Sequence, residues 1–228
     1  MSSSLRRACA NAAARETLEA RYEAAARLLD ARARMAARGL SPVTAAIEGA
    51  HAIVEWAHYP EADARDAAGR ARYYYHAHPP NERIAGEHGH FHVFLEPGAD
   101  GDAAAPTHIV GVAMNAGGAP IGLFTTNRWV TGESWREAAA IECALGDFAV
   151  ASNRDDIDRW IAAMIHLYRV EIGALLRARD RAVAAMRSEA PNDDVLEDRS
   201  VRILSEAPVD LVADIHAIEL ALERMEPR

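Results

Sequence analysis

Lysine is missing from this chain: all 25 basic residues among its 228 are arginine. Schiff-base catalysis, pyridoxal phosphate anchoring and a Walker-type phosphate lysine are therefore excluded. Cysteine is nearly missing too. Cys9 and Cys143 stand alone, with no C-x-x-C pair for a zinc knuckle or a thioredoxin-type motif. No apolar run approaches the ~20 residues of a membrane helix. The first fifteen residues lack the apolar segment of a secretory leader. A cytoplasmic protein without a membrane partner is the expectation. A net charge of −9 argues against nucleic acid as a partner. Residues 1–38 run the other way, with eight arginines against four acids, so the remainder carries −13. A basic first helix docking on an acidic body is expected.

What the chain does have is apolar material and histidine. Half of the residues are hydrophobic, enough for one sizeable core and a single domain over 1–228. An Ala/Arg/Glu-rich helix is predicted over 5–38, stopped by Gly39. Ser41-Pro42 reads as a helix start, and Val43, Ile47, Ala50 and Val54 align on one face of a helix running to Tyr59-Pro60. A short helix is predicted over 61–71. The character changes at Arg72. Strands are predicted for Tyr73–His78, His88–Leu95 (closed by Pro97-Gly98), Thr107–Met114 and Ile121–Thr126, with a loop at 99–106 and a hairpin turn at Asn115–Pro120. Helices return with a Ser134/Glu137 capping box, then a long helix from Asn153 to Arg187. A mobile polar loop over 188–200, an extended piece at Val201 and Ile203, and a last helix from Pro208 complete the reading. The expected class is α+β. A small antiparallel sheet of about four strands, residues 72–130, is wrapped by a helical part at 1–71 and another at 131–228.

Five of the ten histidines fall within seventeen residues, in Tyr74-Tyr75-His76-Ala77-His78 and Glu87-His88-Gly89-His90-Phe91-His92. Both blocks place histidine at every second position. A strand points alternate side chains to one face, so each block gathers its imidazoles on one side. The simplest antiparallel register sets His78 opposite His88, His76 opposite His90, and Tyr74 opposite His92. Opposed Cβ atoms would lie about 4.5–5.5 Å apart, close enough for several imidazoles to share one ion. His88 and His92 lie about 13 Å apart along the strand, too far for one ion to use all five. The candidate metal ligands are His76, His78, His88, His90 and His92. Imidazole-rich sites suit iron, copper, zinc or nickel. Tyr74 is a candidate hydrogen-bond partner or redox-active phenol, and Glu82 and Glu87 are candidate bases or carboxylate ligands. The isolated His51, His58, His108, His166 and His216 read as structural, with His108 the best reserve ligand.

Three resemblances attach to these residues. His76-Ala-His78-x-x-x-Glu82, with Gly89 seven residues on, is similar to the first metal-binding motif of cupins. That likeness implies a β-barrel holding iron, manganese, copper, nickel or zinc, although Gly69 is one place off the pattern and no second motif follows. His88-Gly-His90-Phe-His92-Val-Phe94 is similar to the histidine-triad motif of nucleotide hydrolases and transferases, which implies His90 as nucleophile on a phosphate. The combination YYYHAHP, EHGHFHVF and LFTTNRWVTGE resembles a bacterial domain-of-unknown-function family over roughly 72–135. It adds Asn127, Arg128 and Trp129 to the same unit, where Arg128 could grip a carboxylate or phosphate and Trp129 could wall a pocket.

The leading expectation is a metal-dependent enzyme with a mononuclear multi-histidine site, an iron or copper oxidoreductase acting on a small molecule, with zinc as the other candidate ion. The alternatives are histidine-based nucleotide or phosphate chemistry and a non-catalytic metal-binding protein. The apolar stripes on the terminal helices also allow a homodimer.

Overall fold

The first helix, α1 (Ser3–Ala37), stops where glycine predicts. Gly39 sits at φ +73, and the Leu40 N–H closes the end onto the Met35 carbonyl at 2.9 Å. This computed structural model describes residues 3–50, 52–96 and 105–225, with side chains from residue 12 onward. Pro97-Gly98, most of the predicted 99–106 loop and His51 lie outside them. The basic α1 does dock on acids: Arg21 pairs with Glu171 at 2.6 Å and Arg34 with Asp156 at 2.8 Å. Its buried stripe of Ala24, Leu28, Ala31 and Met35 joins the main core.

Helix α2 (Pro42–Ala46) starts at Ser41 as predicted, with a reciprocal Ser41/Thr44 capping box. It is far shorter than expected. Gly49 follows at φ +91, a left-handed turn that ends the helical path, and Val54 is left exposed instead of facing inward. The predicted 61–71 helix is also corrected. Residues Tyr59–Arg65 form strand β1, an irregular edge strand pairing with β2 (Ala71–His76). Its proline and its charges suit an edge, where one row of backbone groups needs no partner.

β3 (Gly89–Leu95), β4 (Thr107–Met114), β5 (Pro120–Thr126) and a late strand β6 (Ile203–Pro208) complete an antiparallel sheet of six strands, two more than expected. Strand order follows the chain, β1 to β6. Among the described residues no ladder closes it into the barrel that the cupin likeness implies. The Asn115–Pro120 hairpin forms as predicted, with Gly118 at φ +78 and the Asn115 side chain accepting from the Ala119 N–H.

The helices after β5 are α3 (Arg128–Thr131), α4 (Ala138–Leu145), α5 (Asp155–Leu167), α6 (Arg169–Glu189) and α7 (Leu211–Glu223). The predicted 153–187 helix is broken at Tyr168, whose hydroxyl donates to Asp214 at 2.8 Å. The Ser134/Glu137 capping box does not form. The first N–H of α4 is met instead by Asp180 across the fold, at 2.7 Å. Asp210, not Pro208, caps the last helix. The 188–200 loop is tied down by a short 3-10 turn, Val195–Glu197, whose Val195 and Leu196 side chains are buried. No helix among the described residues is long and apolar enough to cross a membrane.

The sheet has two different faces. Tyr73, Tyr75, Phe91, Val93, Val110 and Val112 line one and pack against the helices, Phe91 lying 5.6 Å from Trp160. Each large aromatic buried there removes about 150–250 Å² from water. Asp158 anchors this side. It accepts from the Tyr73 hydroxyl at 2.7 Å, from the Ser152 hydroxyl at 2.7 Å, and from the Ser152 N–H at 2.6 Å. Asp158→Ala orphans the buried Tyr73 hydroxyl and the part-buried Ser152 donors and is expected to lower stability by about 3 kcal/mol, read by urea unfolding. An unchanged midpoint would remove this anchor from the account.

Candidate metal centre

The other face carries the histidines, and the pleat puts them there. The ladder pairs His76 with His90 and Tyr74 with His92, the predicted register. His78 follows β2 directly and stays with the group: its ring centroid lies 4.9 Å from that of His76 and 5.0 Å from that of His90. One nitrogen from each of His76, His78 and His90 lies within 4.8 Å of the others, and all three residues are buried. These three could hold a metal ion. His92 stands beside them, its ring 5.2 Å from His76 and 4.8 Å from His90. His88 does not join. It precedes β3, outside the ladder that enforces alternation, and its Nδ1 meets the Tyr75 hydroxyl at 2.7 Å. Gly89 allows this, because a Cβ there would lie 2.6 Å from that hydroxyl.

A carboxylate stands behind the group. Glu87 Oε1 lies 2.5 Å from His90 Nδ1. An ionised carboxylate only accepts, so His90 Nδ1 carries the proton and its Nε2 presents a lone pair inward. Burial works against the charge on Glu87. The His90 hydrogen bond and the Ile84 N–H outweigh it and hold the carboxyl below its ordinary range. His90 Nε2 in turn lies 2.7 Å from His76 Nε2. With His90 accepting, His76 supplies the proton in the metal-free state. Two ligands on one ion at ~2.0–2.1 Å would stand about 3.3 Å apart, so an ion replacing that proton needs only a small spreading of the rings.

His76, His78 and His92 are held neutral, the form that binds metals. Burial, then the neighbouring histidines, lowers His76 to about 2. Burial, then His90 and Arg202, lowers His78 to about 4. His92 is driven down by burial and by His90. Its Nδ1 meets His108 Nε2 at 2.9 Å. His108, the reserve ligand, reaches this face through a bulge: Val93 pairs with Val110 but Phe94 with His108, so one extra residue reverses the alternation. The buried Glu133 accepts from the His108 backbone N–H at 2.8 Å.

Aromatic rings enclose the group. Tyr74 is sandwiched between His58, stacked at 3.6 Å, and Phe94 at 5.7 Å, and it lies 5.4 Å from His76 and 5.3 Å from His92. Its phenol is pushed up by burial and stays protonated. Trp56 lies over His78 at 4.3 Å. Phe124 closes another side, 5.1 Å from His90. It can do so because Gly111 has no Cβ, which would stand 2.2 Å from the ring.

A cavity of about 570 Å³ opens beside the histidines, and His78, His90, His92, Glu82 and Glu87 all line it. Leu123, Phe124, Val130, Ile203, Ala207 and Pro208 supply much of the rest. Glu82 stands at its mouth and pairs with Arg202 at 2.9 Å. Asn127, Arg128 and Trp129 are brought elsewhere. Asn127 donates to the Val195 carbonyl, Arg128 pairs with Asp194 and Glu197, and Trp129 donates to the Val201 carbonyl. They clamp the 194–201 segment, and none of them lines the cavity. Trp56, His58 and Arg202 were invisible as site residues because each lies alone in sequence, far from the histidine blocks.

Fold and site together define an α+β protein with a buried histidine group able to hold a metal ion. The chain belongs to the family described as a domain of unknown function, DUF6969, whose model matches residues 22–209. That match takes in every site residue from Trp56 to Pro208. No curated protein and no solved structure matches the chain.

Proposed function

We propose that the chain is a metal-dependent enzyme, an oxidoreductase using one iron or copper ion at His76, His78 and His90 on a small molecule in the adjoining cavity. The observation that carries this reading is the convergence of three buried imidazoles, His76, His78 and His90, two of which (His78 and His90) stand on the wall of a 570 Å³ cavity. A saturated storage site would have no use for such a chamber. The ion would supply Lewis-acid or one-electron chemistry at the cavity wall. Glu87 fixes the tautomer and orientation of His90, and the His92–His108 pair backs the group from inside. Tyr74 keeps a buried, protonated phenol next to two of the imidazoles, which suits electron or hydrogen-atom transfer better than hydrolysis. Phosphate chemistry on His90 is less well supported. Glu82, Glu87 and Glu206 line the cavity against the single Arg202 and would repel a polyphosphate.

The test is anaerobic reconstitution with ferrous, cupric and zinc ions. Equimolar iron or copper is expected, with a copper resonance split by several imidazole nitrogens. Added azide should then perturb that spectrum, because one coordination position is exchangeable. Uptake of zinc alone, or spectra indifferent to azide, would overturn the oxidoreductase reading.

A further inference from the structure

We propose that the cavity takes a small organic monocarboxylate with an apolar body, and that Arg202 receives the carboxylate; the inference builds on the metal-enzyme reading above. Arg202 stands just before β6, at the cavity wall. Its Nη1 makes both of its side-chain hydrogen bonds, to His78 Nδ1 at 3.1 Å and to Glu82 Oε2 at 2.9 Å. Among the described residues, Nη2 and Nε hydrogen-bond to no protein group. The side chain is 39% exposed, so that edge faces open space. A guanidinium with one arm anchored and a two-nitrogen edge free matches a carboxylate bidentately. Arg128, by contrast, already has both of its partners in Asp194 and Glu197.

The rest of the chamber asks for an apolar body. Leu123, Phe124 and Val130 line it, and Ile84 and Ile203 do so while remaining 42% and 37% exposed. Trp56, exposed at 49%, adds a flat ring over His78 with the Arg202 guanidinium 5.8 Å from its centre. Two of the eight large exposed hydrophobic residues described thus line this cavity, and Trp56 lies beside its wall at His78 and Arg202, as apolar groups do where an apolar ligand enters. The Trp56 backbone is held at φ +68, an uncommon conformation for a bulky residue, by its N–H bond to the Ala77 carbonyl at 2.9 Å. The charge count sets the limit on the acid. Glu87 is engaged by His90 and Glu82 by Arg202, and Glu206 adds a further negative charge to the wall. One free guanidinium edge therefore suits one negative charge, not two or three.

Calorimetric titration of the full chain, as purified and after chelation, with octanoate, 1-octanol and octylamine tests this. Octanoate should bind roughly tenfold or more tighter than either analogue in the chelated protein, where no ion can hold the acid. Arg202→Gln should erase that preference, and Arg202→Lys should retain part of it by keeping the charge without the fork. Equal binding of the three probes, tighter binding of the amine, no binding at all, or an octanoate preference that survives Arg202→Gln would each overturn the proposal. Metal content is read separately. Acid preference in a chain that takes up no metal would fell the enzyme reading alone, and metal uptake with indifference to acids would fell this inference alone.

Discussion

His76→Ala and His90→Ala are each expected to abolish stoichiometric metal binding. Four-ligand structural zinc sites bind with about 10–16 kcal/mol, roughly 2.5–4 kcal/mol per ligand, so losing one of the three imidazoles here weakens binding by about two to three orders of magnitude. The two variants should behave alike, because their Nε2 atoms lie 2.7 Å apart and face the same point. Glu87→Gln should give a smaller loss, roughly 10–100-fold, because it removes the group that orients His90 and not a ligand. His216→Ala should change nothing: the residue is exposed on α7 and, among the described residues, pairs only with Glu219. Competition against a chromophoric chelator measures all four. Equal affinities across the series would mean that these histidines hold no ion.

The metal-free protein should lose stability between neutral pH and pH 5, well before carboxylates titrate. In the folded chain His76, His78 and His108 are lowered to about 2, 4 and 3, and His92 is also driven well down, chiefly by burial in each case. Unfolded, each returns to about 6.5. Between those limits the unfolded state binds more protons than the folded one, so stability rises with pH and is lost as pH falls below about 6.5. By pH 5 each imidazole costs on the order of 2 kcal/mol, and the four together rival the net stability of a typical domain. Denaturant unfolding of chelated protein at about pH 7.5, 6 and 5 reads this directly. A flat profile over that window would show that the imidazoles are not held neutral by burial.

How much of this was legible in the residues follows from which forces are local. The histidine register was legible because pleat alternation is a property of the strand itself, and His76 opposite His90 follows once the two blocks pair. β4 and β5 were legible too, joined by the Asn115–Pro120 turn with its glycines. β1 and β6 were not. Tyr59–Arg65 is rich in Ala, Glu and Asp, and nothing short of pairing with β2 makes it a strand. Ile203–Pro208 becomes one only by lying along β5. His88 was misjudged because alternation ends where the ladder ends. The bulge that turns His108 toward His92 leaves no mark in the local sequence. Arg128 was the evident anion grip, lying in a conspicuous motif, yet the fold spends it on Asp194 and Glu197 and places Arg202 at the cavity from some 75 residues further on.

The most direct measurement is elemental analysis of the chain purified without an affinity tag or chelator. The account predicts about one equivalent of iron or copper per chain, lost in His76→Ala and His90→Ala and kept in His216→Ala. A protein that carries no metal, and takes up neither iron, copper nor zinc when offered them, would contradict it.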